Sequence, residues 1–270
     1  MSDSVSAPTA GAAVPRAFES VARPVARTRF FVGMSAALLI VVLAGFARTF
    51  YLRAWFDVPP IPRSAWLHGA LMTAWFVGAM LQTVWVAKHR VHWHRQSGWA
   101  LAVLAVAIVW TALALALAGV GDMERRVPVL LSRGIPLDRV VQMIATVFWA
   151  ATSTAFVFAV LVVCAVLFRR TPETHKRLML LASVSIVQPA IARMFIYWPV
   201  FGDFAVQRAP LLATAAASLL LLPLFLYDLA TRRSIHPATL YGSLFVIGVK
   251  VFGIFLLART EVGQSMVSIA

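Results

Sequence analysis

The stretch from Phe30 to Leu52 reads FFVGMSAALLIVVLAGFARTFYL and contains a single charged residue, Arg48. An α-helix crosses the bilayer core, which is about 30 Å thick, with about 20 apolar residues. Six further stretches meet or approach this requirement: Ala65–Ala87, Gly98–Gly121, Val140–Phe168, Leu178–Val200, Leu211–Ala230 and Thr239–Ala258. The sequence therefore predicts an all-α integral membrane protein, a bundle of about seven transmembrane helices.

The composition supports the same class of protein. Of 270 residues, 61% are hydrophobic and 13% are charged, whereas soluble domains are about half apolar and about a quarter charged. The net charge is +14, but the Lys and Arg residues lie at the ends of the apolar stretches. This placement excludes a nucleic-acid partner and predicts contacts of a basic inner face with anionic lipid headgroups. The single cysteine, Cys164, excludes an intramolecular disulfide and a cysteine metal cage.

The chain divides into three parts. Residues 1–28 are rich in Ala, Ser, Pro and Val and lack periodicity, which predicts a disordered tail. The seven-helix domain is predicted over residues 29–262, with a long surface connection at 122–139, and residues 263–270 form a short tail. Thirteen Lys and Arg residues lie on the side of the N-terminal tail and nine on the other side. This bias predicts a multi-pass protein with a cytoplasmic N-terminus and an external C-terminus.

Three turns between spans resemble one another. In each turn a basic residue ends one span, and a histidine follows four or five residues later, just before the next span: His94, His175 or His236. The domain would then be one helix followed by three similar hairpins, although the spans share no detectable side-chain pattern. The spacing predicts that the three histidines lie at helix N-termini on the same, cytoplasmic face of the bundle.

These three histidines and Asp228 are a candidate metal site. Helix N-termini and neighbouring cations disfavour imidazolium, which leaves neutral imidazoles able to ligate a metal. Asp228 ends the sixth span nearby, and three imidazoles with one carboxylate are sufficient ligands for zinc or iron. In the alternative interpretation, the histidines contact headgroups and Asp228 pairs with Arg232 one helical turn further on.

Polar side chains inside the spans are a second set of candidates, because such residues are costly in a bilayer. They are His68, Gln188, Arg193 and Lys250. Together they would line a pocket in the outer half of the membrane for an anionic or carbonyl-bearing ligand, such as a quinone or a haem edge. In the alternative interpretation, Arg193 extends towards the membrane surface, His68 is a hydrogen-bonded core imidazole and Gln188 satisfies a proline kink.

Several short blocks resemble those of a group of uncharacterised bacterial polytopic integral membrane proteins. The blocks are Phe50–Arg53, Leu67–Gly69, His94-Arg95 with Gly98, His175–Leu181, Pro189-Ala190 with Arg193, and His236–Ala238. The resemblance implies the same membrane architecture of about seven spans, in the bacterial inner (cytoplasmic) membrane, and it implies no activity.

Three hypotheses about function follow. The first is a redox-linked membrane protein that binds haem or a metal through His68 or through the His94, His175 and His236 group. The second is a metal-dependent membrane hydrolase in which the metal activates water. The third is a non-enzymatic carrier or binding protein for an anion or a lipid. The small-residue run at 213–218 permits close helix packing within one chain or in an oligomer.

Overall fold

The computed structural model describes residues 16–58 and 60–268. Within these ranges the regular structure is helical, without β-strands. Seven helical segments are long and apolar enough to cross a membrane: Arg29–Tyr51, Arg63–Ala87, Val91–Met123, Leu137–Leu167, Pro172–Tyr197, Arg208–Arg232 and Pro237–Arg259. The predicted all-α bundle of seven membrane-spanning helices is confirmed, and the chain is a multi-pass membrane protein.

The α-helices, in chain order, are α1 (Arg16–Phe46), α2 (Arg63–Ala87), α3 (Val91–Ser132), α4 (Leu137–Leu167), α5 (Pro172–Ser185), α6 (Gln188–Tyr197), α7 (Gly202–Leu219), α8 (Leu222–Arg232), α9 (Pro237–Val251) and α10 (Glu261–Ser268). A π-helical turn, Ala47–Tyr51, continues α1, and another, Phe252–Leu256, continues α9. Short 3₁₀ turns lie at Arg53–Trp55, Pro199–Phe201 and Leu257–Arg259.

The predicted boundaries differ from the structure at three places. Helix α1 begins at Arg16, inside the predicted tail, because a helix propagates easily once a long apolar span has nucleated it; residues 1–15 lie outside the described residues. Helix α10 occupies most of the predicted C-terminal tail. Helix α3 continues to Ser132 through the predicted connection, because Val127 and Leu130 pack against a buried cluster to which α4 contributes Val140.

Successive spans run in opposite directions. We call the end of the bundle at which α1 enters the proximal end, and the end near Tyr51 the distal end. The fifth span, α5 with α6, is the most enclosed, with 56% of its most apolar window buried. It contacts α1, α4, α7 and α9. Gly45 of α1 lies so close to the backbone of Ala190 in α6 that a Cβ would collide with it. This close crossing places the π-turn of the first span beside α6.

The fifth span is interrupted between Ser185 and Gln188. Pro189 has no N–H group, so the carbonyl of Ser185 lacks its usual helical donor. Lys250 of α9 is 5% exposed, and its ammonium donates to this carbonyl at 2.6 Å and to Gln188 Oε1 at 3.2 Å. Gln188 Nε2 in turn donates to Thr214 Oγ1 at 2.8 Å. The buried lysine therefore replaces the hydrogen bond that the proline removes.

Candidate functional site

At the proximal end, Asp228 is completely buried at the end of α8. Its Oδ1 accepts from Arg177 Nε at 3.0 Å and also from Arg177 Nη2. Its Oδ2 accepts from Thr239 Oγ1 at 2.5 Å and from the backbone N–H of His236 at 3.0 Å. Both carboxylate oxygens are therefore engaged by the protein itself.

Arg177 completes this network from α5, where its side chain is also fully buried. Its Nη1 donates to the Glu173 carbonyl at 2.8 Å and to Glu173 Oε2 at 2.6 Å. Lys176 pairs with the other carboxylate oxygen of Glu173 at 2.8 Å. We call Arg177, Asp228, Glu173, Lys176 and Thr239 the proximal network, and it joins α5, α8 and α9.

The proximal network corrects two expectations about Asp228. The expected partner Arg232 is replaced by Arg177, because burial favours a carboxylate that is fully matched by a planar guanidinium. Asp228 is also unsuitable as a metal ligand while its oxygens accept from Arg177, Thr239 and His236. Sequence reasoning missed Arg177, since it stands in a Lys-Arg pair typical of the flanks of a span. The scarcity of acidic residues was the feature of the sequence that could have pointed to a buried partner for Asp228.

The three proximal histidines divide into a cap and a pair. His236 Nδ1 accepts from the backbone N–H of Ala238 at 3.0 Å and so caps α9. Burial lowers the pKa of His236, and Arg177 and Arg232 lower it further, which keeps the imidazole neutral and able to accept. The rings of His94 and His175, by contrast, have centroids 6.1 Å apart.

The expected four-ligand metal centre of His94, His175, His236 and Asp228 is not assembled in the structure. Across residues 16–58 and 60–268, no three or more His, Cys, Asp or Glu side chains are arranged to hold a metal ion. The reason is that His236 and Asp228 are used to hold α8 against the start of α9.

At the distal end, a cavity of ≈ 380 Å³ lies between the first, second and fifth spans. We call it the distal cavity. Its lining includes Thr49, Tyr51, His68, Phe76, Arg193 and Tyr197. Two of the four polar residues predicted to meet in an outer pocket, His68 and Arg193, therefore share one cavity. The other two, Gln188 and Lys250, bond to each other at the break of the fifth span.

Irregular backbone borders the distal cavity on two sides. The π-turn of the first span contributes Thr49, Phe50 and Tyr51, and the break of the fifth span contributes Ile186 and Pro189. π-turns and broken membrane helices are found frequently at functional sites. The backbone irregularity and the in-span polar residues thus coincide at one place.

The hydrogen bonds of His68 determine which of its nitrogens is protonated. His68 Nδ1 lies 2.8 Å from Thr111 Oγ1. The Thr111 hydroxyl has one proton, which it donates to the carbonyl of Ala107 at 2.8 Å, with Ile108 O at 3.1 Å. With that proton on the Ala107 carbonyl, Thr111 accepts from His68, an arrangement in which Nδ1 carries the proton and Nε2 keeps its lone pair. The imidazole offers an acceptor.

Tyr51 is oriented by the same logic. Thr73 Oγ1 donates to the Gly69 carbonyl at 2.8 Å, so the Tyr51 hydroxyl, 2.7 Å from Thr73 Oγ1, is the donor in that contact. The phenolic oxygen keeps its lone pairs. Tyr51 and His68 thus offer two acceptors at the distal cavity.

Two cationic side chains stand at the distal cavity, Arg193 in its lining and Arg48 against the lining residue Tyr197. Arg193 stacks on the Phe46 ring, with 4.5 Å between its guanidinium carbon and the ring centroid, and makes a 3.3 Å contact with the Pro189 carbonyl. Arg48 donates to the Tyr197 carbonyl at 2.6 Å. Among the described residues neither arginine forms an ion pair. Arg48 Nε and Thr49 Oγ1 are buried, and neither atom has a hydrogen-bond partner in the described part of the chain.

Sequence reasoning missed Thr49 and Tyr51, which line the cavity, and Arg48 and Thr111, which contact the lining residues Tyr197 and His68. Arg48 and Tyr51 stand near the end of the first span, where cations and aromatic residues are ordinary membrane-interface residues. The Thr residues are unremarkable inside a span, since a hydroxyl there can bond to the carbonyl one turn earlier. The Phe50–Arg53 block was the feature of the sequence that could have pointed to this part of the first span.

Comparison with known proteins does not assign the chain to a family. No family model, no curated protein and no solved structure matches the chain.

Proposed function

We propose that the protein binds a small, membrane-soluble molecule in the distal cavity, and that this molecule is a quinone or quinol. The observation that carries the proposal is the polarity of the cavity: acceptor atoms on His68 and Tyr51 stand with the unpaired donors of Arg193. A ligand that matches it has a hydroxyl donor and a carbonyl or anionic oxygen on one compact frame. Such a ligand fits the hypothesis of a redox-linked membrane protein.

The walls and the size of the distal cavity support an aromatic ligand. Phe46, Phe50, Met72 and Phe76 supply apolar surface around the polar groups. Binding sites for small molecules are typically about 300–1,000 Å³ and mostly apolar, with a few well-placed polar groups. A volume of ≈ 380 Å³ suits a single substituted ring with its attached chain leaving the cavity.

The bound pose follows from the donors and acceptors. A quinol hydroxyl would donate to His68 Nε2, and the opposite or adjacent oxygen would accept from the Arg193 guanidinium. An oxygen carrying partial negative charge gains most from this site, because no carboxylate pairs with Arg193 among the described residues. A haem edge is the alternative ligand, with His68 Nε2 as an iron ligand.

The test is ligand binding by the purified full chain in detergent. A short-chain benzoquinone and its quinol would be titrated while tryptophan fluorescence is recorded. We expect Arg193→Met and His68→Phe each to weaken binding at least tenfold, which is about 1.4 kcal/mol. Arg208→Met is the matched control, because Arg208 stacks on Phe204 at the same end and lies outside the cavity lining.

Visible spectra of the same samples, oxidised and dithionite-reduced, separate the two ligands. A Soret band that disappears in His68→Phe would identify haem and overturn the quinone proposal. Unchanged quinone affinity in both folded cavity variants would also overturn it.

A further inference from the structure

A second candidate site lies at the proximal end, away from the distal cavity. His94 begins α3 and His175 begins α5, so two different spans bring their imidazoles together. We infer that His94 and His175 hold a monovalent copper ion between them. This site is independent of the proposed quinone binding.

The spacing of the two rings suits a shared ion. Their centroids are 6.1 Å apart and their planes are almost perpendicular, at 86°. With metal–nitrogen bonds of about 2.0 Å, two imidazoles on one ion have centroids about 5–6 Å apart, and the separation increases as the nitrogen–metal–nitrogen angle opens. The observed distance lies at the upper end of this range, where the nitrogen–metal–nitrogen angle is wide, as it is in two-coordinate monovalent copper.

His175 is held as metal-ligating histidines usually are. Its Nδ1 lies 2.7 Å from the carbonyl oxygen of Ala165 in α4. A carbonyl only accepts, so Nδ1 carries the proton and Nε2 keeps its lone pair. A backbone carbonyl on the second nitrogen fixes the tautomer and orients the ring of a metal ligand.

Unpaired polar atoms accumulate beside His94. Its Nδ1 is buried without a hydrogen-bond partner in the described part of the chain. Gln82 of α2 donates at 2.8 Å to Ser97, one turn after His94, while its own Oε1 is likewise buried and unpartnered. Buried polar atoms in native proteins normally have partners. A cation at the imidazole pair would supply one to His94.

The charge of the surroundings favours copper over zinc. The two imidazoles are neutral ligands, and Arg95 follows His94 directly in the sequence. Glu173 and Asp228, two carboxylates of this end, are already paired with Lys176 and Arg177. A divalent ion on two neutral ligands beside Arg95 is repelled twice as strongly as a monovalent ion. Imidazole is a suitable ligand for copper.

The experiment is an anaerobic titration of the full chain in detergent with monovalent copper, in competition with a chromophoric copper chelator. We expect one copper per chain, and at least a hundredfold loss of affinity in His94→Phe and in His175→Gln. His92→Phe is the matched control, because His92 is an exposed histidine two residues from His94. X-ray absorption should show two nitrogen ligands at about 2.0 Å.

Folding is monitored in the same samples by size-exclusion elution and thermal unfolding. The inference is overturned if folded His94→Phe retains the wild-type copper affinity, or if His92→Phe loses as much. It is also overturned if zinc binds stoichiometrically in place of copper, or if the wild-type chain takes up neither metal. Quinone titration of each variant keeps this result separate from the distal cavity, whose ligand affinity should not change.

Discussion

Arg177 and Arg193 lie in the same span, yet their surroundings are opposite. At the proximal end, Arg177 is fully buried and matched by the carboxylates of Asp228 and Glu173. At the distal end, Arg193 has an aromatic ring and one long carbonyl contact, and no carboxylate among the described residues. The proximal network is complete, whereas the distal cavity keeps unpaired donors and acceptors.

The difference shows how to separate structural from functional polar groups inside a membrane protein. A buried charge whose donors and acceptors are all satisfied holds helices together. An equally costly group that is left unpaired, beside a cavity and irregular backbone, has capacity for a ligand. Lys250 belongs with the structural groups, because it satisfies the carbonyl freed by Pro189.

The largest expected effect is the loss of the buried ion pair. Asp228→Asn leaves the buried Arg177 with only the half-exposed Glu173 as a counter-charge, and we expect the free energy of unfolding to fall by about 3–5 kcal/mol. Thermal unfolding in detergent would measure it. Asp122→Asn is the control, since Asp122 and Arg125 form an exposed pair and exposed pairs contribute little. Equal stability of the two variants would contradict a structural role for the proximal network.

Lys250→Met tests whether the buried lysine is structural. The Ser185 carbonyl would lose its donor, which should cost about 1–3 kcal/mol. Pro189→Ala restores a backbone N–H that can bond to the same carbonyl, so the double variant should recover part of the loss. A double-mutant cycle on thermal unfolding measures this coupling. Strictly additive effects would show that Lys250 does not replace the missing backbone donor.

The same substitution at both ends compares the two regions directly. Thr239→Val removes a hydroxyl that donates to Asp228 Oδ2, and we expect a loss of about 1.5–3 kcal/mol, as for hydrogen bonds to charged groups. Thr49→Val removes a buried hydroxyl without a partner, so stability should be unchanged or slightly higher. Thermal unfolding of the two variants in parallel is the measurement. Equal destabilisation would remove the distinction between paired and unpaired groups.

The smallest expected effect is a pH dependence at the start of α9. The pKa of His236 is lowered in the folded protein, so the neutral form stabilises the fold and protonation opposes it. This contribution is present above the unfolded pKa of about 6.5 and is lost as the pH falls below it. His236→Asn keeps a capping acceptor without a proton to bind. The melting temperature of the wild type should therefore fall relative to that of the variant as the pH decreases from 7.5 to 5.5.

Some site residues were within reach of sequence reasoning. His68, Gln188, Arg193 and Lys250 stood out because each is costly inside a span. Which of these residues meet could not be predicted from the sequence. Pro189 breaks the fifth span, and Lys250 donates to the backbone carbonyl that the break leaves without a donor. Asp228 stood out through the scarcity of acids, but its partner on a distant span, Arg177, was invisible to local spacing.

The sequence by itself determined the class of fold. The number of spans and their alternating direction follow from long apolar stretches separated by polar turns, because a bilayer allows few other solutions for the backbone. The tertiary structure alone decided which polar residues meet. Contacts between spans depend on helix rotation, on the close approach at Gly45 and on the local change of pitch at Ala47–Tyr51. Hydropathy does not encode these three features. The distal cavity and the neighbouring imidazoles of His94 and His175 therefore form only when the helices are packed.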